Sequence, residues 1–497
     1  MKIIRQALEI RPDPRRVLLR PFLPTLVVKP SSAAMANGRV LNVFLRVLLI
    51  DEASVETKLQ EVMAEFQGRH VDIRAIFLER FKAVEPLLPA DRPLSDARQM
   101  LLGSCFINEY SLESSALFNP SIVPAPEQTG VSSGELRCVL SLRATGEGHI
   151  SSITFRSGIV DAEGLVRIDN VSRYVHSPKP RPASTYDRTI FRRKLRELGL
   201  GEDEIHSATE NLSDSFRLED LAKYSAHLRR ESAPAVIQQA VDRAIMLAEA
   251  NYAVRFPKGL TMCEKVLFPY SPAESNGIED ARFVRFIGDD GGVMYYATYT
   301  AYNGSVVFPQ MVETRDFRDF NICTLNGPAI RNKGLALFPR KINGHYAMLG
   351  RQDGENIHLM FSEHPHFWHD SKVILRPAET WEFIQLGNCG SPIETDAGWL
   401  VITHGVGPMR KYCLGAALLD LNDPSRVVGR LRDPLLGPEE DEREGYVPNV
   451  VYSCGALIHS GRLVLPYAVS DTATRFATID VAELLNALLH SPAKNAG

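Results

Sequence analysis

No apolar run in the chain reaches eighteen residues, the length a membrane-spanning helix requires, so no transmembrane helix is expected. There is no Cys-x-x-Cys pair either. Seven cysteines, an odd number, are scattered from Cys105 to Cys454, which argues against a disulfide framework and suits free thiols in a reducing compartment. Net charge is nearly absent. The 56 basic residues against 60 acidic ones leave −4, a poor match to a protein that coats nucleic acid. The basic N-terminus MKIIRQALEIRPDPRRVLLRPF lacks the apolar core of a signal peptide, and Pro12 and Pro14 interrupt it. A cytoplasmic protein is expected. Gly146-Glu147-Gly148 lacks the following helix that a dinucleotide loop requires, and no Ser or Cys nucleophile shows a local signature with a His partner.

What is present is an ordinary globular balance, 44% hydrophobic and 23% charged over 497 residues, enough to bury a large core. Residues 1–110 read as an N-terminal segment with helices. Leu59, Val62, Met63 and Phe66 share one helical face, Ile73, Phe77, Phe81 and Val84 share another, and Pro86 and Pro89 end the pair. From Ala116 the texture becomes short β runs punctuated by glycine and proline. A helical insertion follows over 158–270, holding the Pro-rich loop SPKPRPAS and carrying Ile237, Val241, Ala244 and Ala248 on one face. The β texture returns over 271–497 and persists. Turns every ten to fifteen residues mark an all-β architecture. No clean repeat is visible. At roughly 40–55 residues per four-stranded blade, the β segments 111–157 and 271–497 make about five or six propeller blades.

The densest chemistry lies in Gly277-Ile278-Glu279-Asp280-Ala281-Arg282. Extended backbone alternates faces, so Glu279 and Asp280 are expected to point opposite ways, one into a cleft and one into the structure. An acid held near a guanidinium and among aromatics suits acid–base chemistry. Other polar groups sit where apolar strands meet glycine turns: Arg143, Lys333, Arg351, His404, Tyr412 and Asp471. Three cations, an imidazole and a phenol make an anion cradle, because arginine forks match phosphate oxygens and lysine supplies a point charge. His364, His366 and His369 in SEHPHFWHD resemble a metal cluster. Pro365 and Trp368 between them read instead as a loop packed on the surface, with no matching carboxylate set nearby, so no metal is expected.

In order, FNPSIV, the Arg143 strand, GIEDARF, NKGLALFPRKINGHYAMLGR, GNCGSPIETDAGWLVITHGV, YCLGAALLDLNDP, EGYVPNVVYSCG and the closing Tyr467–Asp471 resemble glycoside hydrolase family 130, the β-mannoside phosphorylases and related β-mannosidases. The resemblance covers residues 115–475 apart from the insertion. It implies a five-bladed β-propeller, with the N-terminal helical segment and the helical insertion added to it. It implies Asp280 as the general acid. Asn119, Arg143 and Asp471 match positions that hold the mannosyl unit, with Glu279 beside them, while Lys333, Arg351, His404 and Tyr412 match phosphate-binding positions. Ala281 departs from the family motif, which usually has proline there.

The implied reaction is inverting, reversible phosphorolysis of a β-mannoside, giving α-mannose 1-phosphate and a shortened acceptor sugar. Phosphate is already anionic and needs no base, only cations to hold it. The implied partners are a β-mannoside oligosaccharide and inorganic phosphate as co-substrate, with no other cofactor, no nucleic acid and no membrane. The insertion leaves room for a homo-oligomer contact or for walls around acceptor subsites. Two other readings stand beside this one: a β-mannoside hydrolase of the same family, and a propeller that binds glycans or a protein without turnover.

Overall fold

The computed structural model describes residues 1–24, 33–88, 93–182, 185–231, 233–304 and 307–491. Pro89 and the end of the Pro-rich loop, 183–184, lie outside the described residues. The chain forms two compact units.

The smaller unit comprises 14–112 with 173–175. Helices Ala33–Leu49, Glu52–Phe66, Ile73–Val84 and Asp96–Ser104 accompany a hairpin of Val17–Pro21 with Ile107–Ser111. Side chains of Asp51, Asp72 and Ser95 accept from backbone N–H groups in the first turns of the last three helices, satisfying donors that have no partner inside the helix. Ile73, Phe77, Phe81 and Val84 are all buried as one stripe. On the preceding helix the buried line is Val55, Leu59 and Met63, with Val62 and Phe66 half-buried at its edge.

The larger unit holds 1–13, 113–172 and 176–497 and is predominantly β. The central strands of its five larger sheets follow one another along the chain, with single strands drawn in from elsewhere. Sheet I contains Ala116–Pro124, Leu136–Thr145 and Ser151–Val160, flanked by Val166–Ile168 and Val266–Leu267. Sheet II runs Ile278–Ile287, Val293–Tyr302, Val307–Thr314, Asp319–Thr324, then Tyr252–Arg255 and Arg181–Pro182. Sheet III is Ala336–Leu337, Tyr346–Gly350, Ile357–Ser362 and Lys372–Leu375. Sheet IV is Gln385–Asn388, Gly398–Val406, Tyr412–Leu419 and Val427–Arg430, with Ile393–Thr395 beside it. Sheet V is Val451–Tyr452, Arg462–Val469 and Ala473–Asp480, with Leu457–His459, and its outer strand is Ile3–Ile10 from the chain's other end.

Neighbouring sheets are tied in turn. The Ser121 hydroxyl accepts from Phe283 N–H at 3.0 Å between I and II, and Thr298 donates to the Leu335 carbonyl between II and III. Asn388 donates to the Gly334 carbonyl at 2.9 Å between IV and III, and Tyr412 N–H to the Asn449 carbonyl at 3.0 Å between IV and the approach to V. Leu117 N–H donates to the Thr472 carbonyl at 2.9 Å and Cys454 N–H to the Pro120 carbonyl at 2.8 Å, which joins V to I.

Residues 158–270 are not purely a helical insertion. Helices Arg188–Glu197, Glu202–Thr209, Leu218–Arg230 and Ala235–Glu249 share a core around Phe191, Leu195, Leu221, Val241 and Ala244, and Ala248 is buried with them while Ile237 is half-exposed. The ends of this stretch are strands of sheets I and II. Likewise 1–13 belong with the sheets and not with the N-terminal helices. Among the described residues no helix is long and apolar enough to cross a membrane.

Candidate active site

Gly277 starts the site. Its φ of +118° is open to glycine, and a Cβ there would lie 2.6 Å from the Ser151 nitrogen. This close approach seats the first strand of sheet II against the Arg143–Ser151 turn of sheet I, where the Arg143 guanidinium donates to the Ser151 hydroxyl at 2.9 Å.

The next residues break the expected alternation. Register shifts between Glu279 and Arg282, and Asp280 takes a left-handed φ of 55°. That bulge turns both acids toward the same guanidinium: Arg143 Nη2 donates to Glu279 Oε1 at 2.9 Å and Nη1 lies 3.4 Å from Asp280 Oδ1. The expectation that Glu279 and Asp280 point to opposite faces is therefore corrected, because it holds only for extended backbone. Asn119 repeats the device on sheet I, with φ 48° inside a register shift between Phe118 and Ser121, and its amide donates to Asp280 Oδ1. Asp471 is a third case, at φ 50° in the turn between the Arg462–Val469 and Ala473–Asp480 strands. Asn and Asp tolerate the left-handed region better than other side-chain-bearing residues, and strained backbone gathers at functional sites.

Lys333, approaching from the loop before sheet III, pairs with Glu279 Oε2 at 2.5 Å, so Glu279 bridges Arg143 and Lys333. Arg282, two residues beyond Asp280, is buried and donates to the Tyr452 hydroxyl at 2.6 Å. Arg351 Nη1 lies 3.1 Å from His404 Nε2. A guanidinium can only donate, so Nε2 accepts and the His404 proton sits on Nδ1, facing the Cys389 sulfur at 3.9 Å. The Gln385 amide also meets Nε2, at 3.2 Å. Tyr412 lies parallel to the His404 ring with centroids 6.2 Å apart, and Tyr452 meets it edge-on at 4.9 Å.

Burial pushes the Asp280 carboxyl up, but the charges of Arg143, Arg282 and Lys333 and the Asn119 amide outweigh it and hold it below the usual carboxylate range. Asp471 goes the other way. Burial and the neighbouring charge of Asp280 push it up to about 6 against the pull of Arg143 and Arg410. Burial, with Arg351 and Arg282 beside it, keeps His404 well below its ordinary value, so it is neutral at pH 7. Among the described residues, Nε of Arg282 and Nε of Arg351 are buried with no acceptor, and Oδ1 of Asn119 is buried with no donor. Unmet cationic donors beside one another fit an oxyanion. A small cleft lined by Asp280, Arg282, Thr298, Asn332, Lys333 and Gly334 opens there.

The structure thus brings Asn119, Arg143, Glu279, Asp280 and Lys333 into one contact network and Arg351, His404 and Tyr412 into a second. Arg282 acts on charges in both, and Asp471 faces the first through Asp280 and Arg143. Sequence reasoning left out Arg282 as a site residue, together with Tyr452, Gln385 and Arg410. Arg282 carried a signal, sitting two positions from the acid in the same motif, and Tyr452 lies in the EGYVPNVVYSCG stretch.

The family profile described as beta-1,4-mannooligosaccharide phosphorylase matches residues 237–490. A 1,2-beta-oligomannan phosphorylase of Thermoanaerobacter sp. (strain X514) is 36% identical over 225 residues, 42% of this chain and 71% of the relative. A beta-1,2-mannobiose phosphorylase of Listeria innocua serovar 6a is 34% identical over 363 residues, 70% of this chain and 95% of the relative. The solved complex of the Listeria innocua enzyme with beta-1,2-mannobiose aligns over 75% of this chain and 92% of its own at 25% identity, with a TM-score of 0.46.

Proposed function

The chain belongs to glycoside hydrolase family 130, and from that premise we propose that it cleaves a β-mannoside by reversible, inverting phosphorolysis to α-mannose 1-phosphate and a shortened acceptor. The observation that carries this reading is the set of cations around Asp280: Lys333, Arg282 and the half-satisfied Arg351. Water as nucleophile would call for a base, whereas phosphate calls for cations. Because three relatives at 34–36% identity act on β-1,2-linked mannose, the β-1,2 linkage is the one proposed.

In this reading Asn119, Arg143 and Asp471 hold the mannosyl unit, and Asn119 Oδ1 is available to a sugar hydroxyl. Phosphate attacks the anomeric carbon while the bond to the acceptor oxygen breaks. That oxygen takes up a proton that originates on Asp280 and passes through a sugar hydroxyl. Two of the cations that keep Asp280 ionised, Arg282 and Lys333, are also among those assigned to phosphate. A bound dianion offsets their field and lets the Asp280 carboxyl hold its proton, so phosphate both attacks and arms the acid. His404 takes no charge from phosphate; it fixes the Arg351 fork through Nε2. The five sheets tied in sequence, with V joined to I, support a five-bladed propeller whose inner strand ends form the cleft. All seven thiols are free, which fits the cytoplasm.

The test is an assay of β-1,2- and β-1,4-mannobiose with and without phosphate. Mannose 1-phosphate should form only when phosphate is present, and the basic limb of the pH profile should move upward as phosphate approaches saturation. Equal release of free mannose in phosphate-free buffer would favour the hydrolase and sink this reading.

A further inference from the structure

Outside the cleft, sheet II gathers a second cluster of a different kind. Strands Val307–Thr314 and Asp319–Thr324 pair Glu313 with Asn321 and Met311 with Cys323. Side chains two positions apart share a face, so Glu313 and Cys323 are diagonal neighbours on one surface of the sheet. The loop after Ile357–Ser362 lays His366 on that surface. Asn326 N–H donates to the His366 carbonyl and Trp368 N–H to the Asn326 carbonyl, each at 2.8 Å, and the buried Trp368 indole donates to the Pro365 carbonyl at 2.8 Å. From the helix Arg188–Glu197, the Arg193 guanidinium covers the Phe367 ring at 4.2 Å and Lys194 donates to the Leu325 carbonyl at 2.6 Å. The loop is therefore held in place before any ligand arrives.

His366 Nε2 lies 2.6 Å from Glu313 Oε1, and one donor atom from each of Glu313, Cys323 and His366 falls within 4.8 Å of the others. All three residues are half-buried, close enough to the surface for an ion to enter. Among the described residues the Cys323 thiol makes no hydrogen bond, and Glu313 bonds through a single oxygen. His369 is elsewhere, against Phe367 and Arg193, and the backbone of His364 pairs with Phe367. The histidine triplet in the sequence is thus not the cluster. One of its members is, with two partners from distant strands.

We propose that Glu313, Cys323 and His366 form a zinc site that ties the 363–368 loop to sheet II, with water as the fourth ligand. A thiolate, an imidazole and a carboxylate are the donor set that suits Zn²⁺ over Mg²⁺ or Ca²⁺, and three protein ligands plus water is a common zinc arrangement. Ligand atoms around tetrahedral zinc stand roughly 3.3–3.6 Å apart. The imidazole–carboxylate contact opens slightly and the thiol closes in, both by side-chain rotation. On binding, the sulfur–proton bond is exchanged for a sulfur–zinc bond and the proton leaves to solvent.

The test uses the full chain stripped with chelator, then dialysed against zinc or cobalt chloride. Wild type should take up about one zinc per chain, and cobalt should give tetrahedral visible bands with thiolate charge transfer. Cys323→Ser and His366→Gln should each weaken zinc binding at least about 100-fold, beyond the 10–100-fold typical of outer partners. His364→Gln and His369→Gln should not change it. Zinc should raise the Tm of wild type and not of His366→Gln, a half-exposed change that carries the test if Cys323→Ser folds poorly. No zinc uptake by wild type, or full retention by both ligand variants, overturns the proposal.

Discussion

Asp280 and Asp471 are the same residue on the same kind of backbone, at φ 55° and 50°, each set on a bend that ordinary strands lack. Their surroundings push them apart. Asp280 sits among Arg143, Arg282 and Lys333 and is held ionised, while Asp471 is pushed up to about 6 by burial and by the charge of Asp280 itself. Two carboxylates with opposed environments are how one site separates an acid from a binding group. Here, however, the residue assigned as acid is the one held low. On the proposed reading, what separates the two roles is the phosphate co-substrate, whose charge would cancel the field on one aspartate and leave the other unaided.

The largest break in this comparison is Asp280→Asn. It should fold normally and lose about 10²- to 10⁴-fold in kcat, because an amide keeps the shape and cannot pass a proton. A well-folded variant with near-normal turnover would remove Asp280 from the chemistry. Next comes Arg351→Ala or Lys333→Ala. Each should raise KM for phosphate about 10- to 100-fold, the equivalent of about 1.5–3 kcal/mol for a charge-assisted contact, with a smaller change in KM for the mannoside. Equal loss for both substrates would point to damage of the whole cleft. The smallest effect is on stability. Asp471 binds its proton more tightly when folded, so it favours the fold fully below the unfolded carboxylate range and loses that contribution as pH rises through about 6. Asp280 has the reverse sign: its contribution is present above the unfolded range and is lost as pH falls through its lowered value. Asp471→Asn cannot ionise, so it should gain on the order of 1–2 kcal/mol over wild type at pH 7, and the gain should vanish by about pH 4. A constant difference in Tm across that range would show that the Asp471 charge is not what the fold resists.

The site was legible because its residues lie in short segments whose order and type survive as text: Asn119 before a proline, Arg143 ending a strand, the two acids in one motif. Their mutual geometry was not. Alternation along a strand placed Glu279 and Asp280 on opposite faces, and only the register shift between Glu279 and Arg282 shows why one guanidinium reaches both. Lys333 reads as a phosphate group in sequence, and in space it also neutralises Glu279. The helical stripe of Ile73 to Val84 was readable because its period is local. The pairing of Glu313 with Cys323 and His366 was not, because register between strands and the path of a loop bring them together. The N-terminal IIRQALEI was missed for the same reason: its partner lies more than 460 residues away, with Ile3 opposite Ile479.

That last pairing has a consequence for how the protein is made. Sheet V takes its outer strand, Ile3–Ile10, from residues made more than 460 positions before those of its neighbour, Ala473–Asp480. At roughly 5–20 residues per second, the opening strand waits about half a minute or more for its partner. Until that partner is made it is an unpaired edge, and Arg5, Glu9 and Arg11 on or beside it are the sort of charges that discourage wrong partners during the wait. Closure of sheet V is thereby coupled to synthesis through Asp480: a product cut short before Ala473 lacks the strand that pairs with Ile3–Ile10 and leaves that edge open to quality control.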